Sequence, residues 1–230
     1  MKFFYDLHIH SALSPCGDMD MTPNNIVNMC ILKGLDFIAV TDHNSVLNLP
    51  AIMECAQNSS LVVVPGMEIE TAEEIHILSL FPTIDDAFNA YGILKEHYLN
   101  IKNKPDIFGF QAIMNSDDII TDFENDLLVT ATKLSLEQVK IMVEDNNGVA
   151  IPAHIDRNSY SIISNLGTIP EIGFTTIELS KSADITKYKE LNFKIITNSD
   201  AHYLEDIFEP VNTIDLEEKS AKCLISHLKG

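Results

Sequence analysis

The sequence predicts an α/β fold organised around a largely parallel sheet. Three observations carry that expectation. The chain has 230 residues, 46% of them hydrophobic, which suits one substantial core. Seven short runs rich in Ile, Val and Phe punctuate it, mostly continuous rather than alternating, as strands buried on both faces require. Helix-like segments separate these runs, and strands alternating with helices give either a barrel or an open doubly wound sheet.

Taken in order, Phe3–His10 is the first strand. Thr22, Pro23 and Gly34 then bracket a helix: Thr22 as N-cap, Pro23 at the first position and Gly34 as the stop. Asp36–Thr41 is the second strand, and a helix is expected near 46–57. Leu61–Pro65 and Glu74–Phe81 are the next strands, followed by a helix near 85–99. Ser135-Leu-Glu-Gln138 is a capping-box pattern that opens another helix, which Gly148 would end. Val149–Ala153, Thr175–Leu179 and Phe193–Thr197 complete the strands, with helices near 184–191 and 217–229. Residues 101–133 break the rhythm: Phe108–Met114 and Ile119–Phe123 flank Asn115-Ser-Asp-Asp118 as a hairpin or excursion. It reads first as a surface insertion and second as a lid over the strand ends. With no internal repeat, 1–230 reads as a single domain.

Bulk properties narrow the function classes. No run of 18 apolar residues is present, so no membrane span or membrane partner is expected. Asp6 and His8 interrupt the N-terminus too early for a signal peptide, and a cytoplasmic protein is expected. Cys16, Cys30, Cys55 and Cys223 are scattered, with no Cys-x-x-Cys pair, which argues for reduced thiols rather than disulfides or a zinc finger. The net charge of −19 disfavours long nucleic acid as a partner. Two or three divalent cations would add about four to six positive charges in one place, so a small anionic substrate remains compatible. The oligomeric state stays open.

The polar residues are placed unevenly. His8 and His10 lie in Asp6-Leu-His-Ile-His10, and Asp42 and His43 follow Phe37-Ile-Ala-Val-Thr41. Glu68 follows Val62–Pro65, His76 lies in Glu74-Ile-His-Ile-Leu78, His154 follows Ala150-Ile-Pro-Ala153, and Asp200 and His202 follow Lys194-Ile-Ile-Thr197. Strand ends of a parallel α/β fold converge on one rim, and residues two apart on a strand share a face. His76 alone reads equally well as a hydrogen-bonded core residue. The whole set reads as a metal centre, because burying so many polar groups is costly unless something pairs them. Imidazole plus carboxylate suits Zn, Mn or Fe. His97 and His227 fall on helix candidates and read as surface or packing residues. Arg157 and Lys181 lie just past strands and are candidate phosphate contacts; salt bridges to the abundant carboxylates are the plainer alternative. No Gly-x-Ser-x-Gly elbow and no phosphate-cradling Gly-x-x-x-x-Gly-Lys loop competes.

Asp6-Leu-His-Ile-His-Ser11, Thr41-Asp-His-Asn44, Pro65-Gly-Met-Glu68, Glu74-Ile-His-Ile-Leu78, Pro152-Ala-His154 and Ser199-Asp-Ala-His202 together resemble the polymerase-and-histidinol-phosphatase (PHP) family, in order and along nearly the whole chain. The resemblance implies a distorted (β/α)7 barrel with a metal site of two or three divalent ions (Zn, Mn or Fe) at the C-terminal ends of the strands. It implies that His8, His10, Glu68 and Asp200 hold one ion. Glu68 would bridge to a second, held also by His76 and His154, and His43, His202 and an aspartate would hold the third. The usual place of that aspartate is Pro15 here, and Asp18 is the expected substitute, with Asp20 behind it. Cys16 is either a bystander or a thiolate ligand, and Asp42 is expected to orient a neighbour. Glu68, Asp200, His202 and Arg157 are the candidate catalytic residues. The implied activity is a metal-dependent phosphoesterase acting on a small phosphorylated metabolite or nucleotide through metal-activated hydroxide. The alternatives are an exonuclease on short oligonucleotides and a non-catalytic metal-binding PHP module. A C–N hydrolase on a related barrel would want a bridging lysine where Glu68 stands.

Overall fold

A computed structural model describes residues 1–230. The first strand, β1 (Lys2–Ile9), pairs in parallel with β2 (Phe37–Val40). Between them runs α1 (Pro23–Lys33), opened by the Thr22 hydroxyl accepting from the Asn25 N–H and closed by Gly34 at φ 76°. A left-handed residue there returns the Gly34 N–H to the helix's last carbonyls without a Cβ penalty. α2 (Leu49–Ala56) starts later than expected, because Val46–Asn48 turn first and Pro50 suits the opening of a helix rather than its middle.

Two departures from a simple parallel pattern follow. Pro65 has no N–H for a ladder, so the third strand splits into β3 (Val62–Val63) and β4 (Gly66–Glu70). The next strand, β5 (His76–Leu80), is antiparallel to β4 and to the later strand Val149–Pro152. Only Thr71–Ile75 joins β4 to β5, closed by the Thr71 N–H on the Ile75 carbonyl with Glu74 at φ 58°. That connection is too short for the crossover a parallel pair needs.

α3 (Ile84–Lys95) leads into the excursion, which holds the one-turn α4 (Pro105–Phe108) and a hairpin of β6 (Ala112–Met114) and β7 (Ile120–Phe123). α5 (Leu136–Asp145) opens with the full capping box of Ser135 and Gln138. Its left-handed terminator is Asn147, at φ 60°. Gly148 serves differently: a Cβ there would sit 2.7 Å from the Phe81 ring and 2.8 Å from the Leu80 carbonyl oxygen. β8 (Val149–Pro152), the short α6 (Ile162–Leu166), β9 (Thr176–Leu179) and β10 (Lys194–Thr197) follow, the last two parallel. The helix expected near 184–191 is only a 3-10 turn at Ile185–Lys187. Ile185 and Leu191 are both exposed, so no apolar stripe holds a longer helix. A short β11 (Thr213–Asp215) pairs antiparallel with β1, and α7 (Ala221–Lys229) ends the chain.

The sheet is fragmented into β11-β1-β2-β3, β4-β5-β8 and β9-β10. Backbone hydrogen bonds tie the fragments at one rim. The His10 N–H donates to Ala201, the Asn44 N–H to Glu68, the Glu68 N–H to Asp42, and the Ile155 N–H to Glu178. Both faces are buried, as the continuous apolar strands require. On β2, Ile38 and Val40 join the larger core cluster with α1, α2, α3 and α5, while Phe37 and Ala39 join a second cluster capped by Leu224, Ile225 and Leu228 of α7. No helix is long and apolar enough to cross a membrane.

Candidate metal centre

Strand periodicity and the rim bonds bring the expected residues together. His8 on β1 and His10 just past its end lie two residues apart and share a face. Glu68, in the middle of β4, is the hub. Its Oε1 lies 2.9 Å from His76 Nδ1, 3.2 Å from His154 Nε2 and 3.3 Å from His8 Nε2. Its Oε2 lies 3.0 Å from His43 Nδ1 and 3.5 Å from His10 Nε2. Asp200 Oδ1 stands 3.1 Å from His10 Nε2 and 3.4 Å from His8 Nε2. His76 reaches the cluster because β5 is reversed: the first residue of an antiparallel strand lies at the same rim as the ends of its neighbours.

The donors fall into three overlapping groups, each with atoms within 4.8 Å of one another: His8, His10 and Asp200; His43, Glu68 and His76; His10, His43 and His202. Nearly all are buried, and several atoms lack a conventional partner. His43 Nδ1 and Glu68 Oε2 lie 3.0 Å apart yet form no hydrogen bond, and His154 Nδ1 makes none either. His8 Nε2 faces His10 Nε2 at 3.2 Å, an approach of two ring nitrogens that one proton at most can bridge. Orphaned donors and crowded imidazoles around one carboxylate are what a cation-binding set looks like without its cation. The residues fit divalent ions.

Charge is redistributed accordingly. Burial would raise the Glu68 and Asp200 carboxyls, but surrounding histidines outweigh it and hold both well below the usual range. Burial opposes the charged imidazolium at His8, yet Glu178, Glu68 and Asp200 hold it well above an ordinary histidine. His43 and His76 are raised too, against burial, chiefly by Glu68. His10 goes the other way, pushed low by burial and by His202 and His43. Two ligand candidates sit in the left-handed region, His154 at φ 29° and Asp200 at φ 52°, the kind of backbone strain that persists where the surroundings dictate it.

Supporting polar residues hold the donors in place. Asp42 accepts from the Ser11 N–H at 2.7 Å and from the hydroxyls of Ser14 and Ser11, which pins the loop after β1. The Ser14 hydroxyl contacts His10 Nδ1 at 3.0 Å and accepts from the His43 N–H. Glu178, which the sequence reading passed over, accepts from His8 Nδ1 at 3.0 Å, from the His154 N–H at 2.9 Å and from the Asn198 amide at 2.7 Å. Its signal was a buried carboxylate inside the apolar run Thr176–Leu179.

Some candidates are placed elsewhere. Asp18 does not join the donor groups; its carboxylate accepts from the Asp20 N–H, and Asp20 is exposed. Cys16, on the same loop, is exposed and joins none of the donor groups either, although the imidazoles of His202 and His43 act on its thiol. Desolvation would raise the thiol, but those two imidazoles bring it down to about 6. Lys181 pairs with Asp206 at 2.9 Å on the surface, with both side chains well exposed. Arg157, the sole arginine of the chain, reaches the rim and pairs with Asp200 Oδ2 at 2.6 Å. The His97 ring contacts the Ile93 carbonyl of α3, away from the cluster, and His227 is exposed on α7.

Comparison with known proteins agrees with this geometry. The fold matches the lesion-specific endonuclease EndoQ of Pyrococcus furiosus with a TM-score of 0.68 at 20% identity, covering 100% of this chain and 56% of that one. In sequence, 81 residues are 36% identical to the 5′-3′ exoribonuclease Rnm of Salmonella typhimurium, covering 33% of this chain and 27% of that protein. Another 80-residue match, 30% identical, is to a phosphoribosyl 1,2-cyclic phosphate 1,2-diphosphodiesterase of Eggerthella lenta, covering 33% and 29%. The match thus spans under a third of either curated relative. The model of the PHP domain matches residues 6–164, the stretch that carries the histidines of β1, the Glu68 hub, His76 and His154. With more than half of its length inside that model and the donor set assembled around Glu68, the chain belongs to the PHP domain family.

Proposed function

We propose that this protein is a metal-dependent phosphoesterase acting on a small phosphorylated substrate, a nucleotide or a short oligonucleotide. The observation that carries the reading is Glu68: one buried carboxylate in contact with five histidines, with orphaned nitrogen and oxygen atoms around it. On this reading β1, β2, β3 with β4, β5, β8, β9 and β10 form a distorted seven-stranded barrel, and the site sits on its rim.

Divalent ions at such a site lower the pKa of water and stabilise charge on phosphoryl oxygens. His8, His10, Glu68 and Asp200 would hold one ion, Glu68, His76 and His154 a second, and His43 and His202 contribute to a third. The protein supplies position and protection. Glu178 fixes the His8 ring through Nδ1, leaving Nε2 for ligation. Asp42 fixes the loop that orients His10. Arg157, with its side chain 44% exposed, keeps guanidinium N–H groups free of Asp200 and offers them to a phosphate oxygen.

The similarity to an exoribonuclease and a cyclic phosphodiesterase supports phosphodiester substrates as well as monoesters. The net charge of −19 favours short over long ones. The test is hydrolysis of bis(4-nitrophenyl) phosphate, 4-nitrophenyl phosphate, histidinol phosphate and a short oligoribonucleotide by the Mn²⁺-loaded protein, beside a chelated sample and His154→Ala. Turnover lost in both controls is the expected result. Bound metal without turnover on any of these would favour a metal-binding module instead.

A further inference from the structure

His76 reaches the centre from the start of β5, and a second aromatic walls its ring. Tyr160 stacks on it, with ring centroids 4.9 Å apart and planes 25° from parallel. The backbone joins the same two residues, since the His76 N–H donates to the Tyr160 carbonyl at 3.0 Å. Tyr160 stands at φ 54°, a left-handed conformation that is costly for a bulky side chain. Its neighbours hold it there. Ser161, fully buried, caps α6 by accepting from the Ser164 N–H and donates its hydroxyl to the Arg157 carbonyl at 2.7 Å. The Asn165 amide bonds the Glu73 and Glu74 carbonyls, which docks α6 on the turn before β5. Despite these restraints Tyr160 is 48% exposed. With one face of the ring on His76, the other is left to solvent. The loop 155–161 therefore meets the donor cluster at two points: Arg157 Nη2 on Asp200 Oδ2 at 2.6 Å, and the Tyr160 ring on His76. The first is a cation suited to a phosphate oxygen, the second a bare π face.

We propose that Tyr160 is a specificity residue, its open face stacking on the nucleobase of a nucleotide whose phosphate lies at the donor cluster beside Arg157. The inference deepens the phosphoesterase reading above and rests on it for the phosphate. A ring that served only to shield His76 would gain by burying its outer face as well. A nucleobase is planar, and every base offers a π face to an aromatic side chain. In a nucleotide a single sugar separates base from phosphate, so one short loop can make both contacts at once.

Calorimetry on the metal-loaded protein tests it with the non-hydrolysable phosphonate analogues of adenosine 5′-monophosphate and ribose 5-phosphate, which differ in the base. Wild type is expected to bind the nucleotide analogue about tenfold or more tightly, the worth of one base–aromatic stack. Tyr160→Asn should lose most of that preference, and Tyr160→Phe should keep it. Asparagine tolerates the left-handed region, so taking the ring away adds no backbone strain, and circular dichroism checks the fold. Equal weakening of both ligands in Tyr160→Asn, with the preference retained, would make Tyr160 a support for His76 alone and overturn the proposal. So would a wild type that hydrolyses 4-nitrophenyl phosphate but shows no preference for the base, a result that leaves the phosphoesterase reading intact. Binding that depends on the base and on Tyr160, without turnover of any ester, sustains the stacking role and sinks the phosphoesterase reading instead. A protein that binds neither analogue and turns over no ester overturns both.

Discussion

Glu68 concentrates so many contacts that its neutral analogue should dismantle the centre. Glu68→Gln keeps the volume but removes the charge that pairs His76, His8 and His43, and bound metal measured by mass spectrometry should fall by at least one ion per chain. Glu178→Gln is subtler. It touches no ion position, yet it leaves the His8 ring less firmly held, and metal affinity should weaken about 10–100-fold by competitive chelator titration. Unchanged affinity would remove Glu178 from the account. Protonation gives a third prediction. Burial opposes charge at His8, His43 and His76, but nearby carboxylates raise all three, Glu178 foremost at His8 and Glu68 at His43 and His76. Ligation needs neutral imidazole, so metal uptake expels protons, and affinity should climb with pH until these histidines have titrated and then level off. His10, already pushed low, contributes no proton. Calorimetry in two buffers of different ionisation enthalpy counts the release, and zero net protons would contradict the assignment. At this scale the sequence was informative wherever a polar residue interrupted or directly followed an apolar strand, as at His8, His76 and His154. It was less so for Glu178, whose partners come from β1, β8 and the end of β10, because sequence spacing says nothing about contacts across strands.

Local signals located most elements because they are local chemistry. The Thr22 cap, the Ser135 and Gln138 box and the Gly34 terminator each need only neighbouring residues. Thr22→Ala should cost about 1 kcal/mol in urea denaturation. What neighbours could not reveal was direction. Nothing in the run Glu74–Phe81 distinguishes a parallel from an antiparallel strand; only the brevity of Thr71–Ile75 does. Gly148 makes the same point. Its position suggested a helix stop, but the left-handed residue is Asn147, and Gly148 is small because the chain passes against Phe81. Gly148→Ala should therefore destabilise by about 1–3 kcal/mol through overpacking. A stabilised variant would mean that this end of the sheet yields more readily than its packing implies.

For the molecule as a whole, the metal centre is also a fastening. The proposed ligands come from β1 and the residue after it, β4, β5 and the segments that follow β2, β8 and β10, so an ion held there would join sheet fragments that share few ladder bonds. At free metal about 100 times its Kd, linkage contributes about 2.7 kcal/mol of stability. For a chain of this size that raises Tm by about 5–11 °C. Scanning calorimetry with and without chelator measures the difference, and equal melting temperatures would show that the fragments need no such fastening. The reversal of β5 has a separate, topological consequence. In a unit of parallel strands each helix carries the chain away from the catalytic face, so anything inserted after the helix emerges on the far side. Here β5 descends and α3 climbs back. The excursion accordingly departs near Tyr98, whose hydroxyl bonds Asn44, and returns at Thr132, whose N–H bonds Glu70. One inverted strand thus opens a port of entry beside the chemistry. Lengthening or replacing residues 101–133 there would reshape the surroundings of the substrate without rethreading the scaffold, a route by which one framework can diversify what it acts upon.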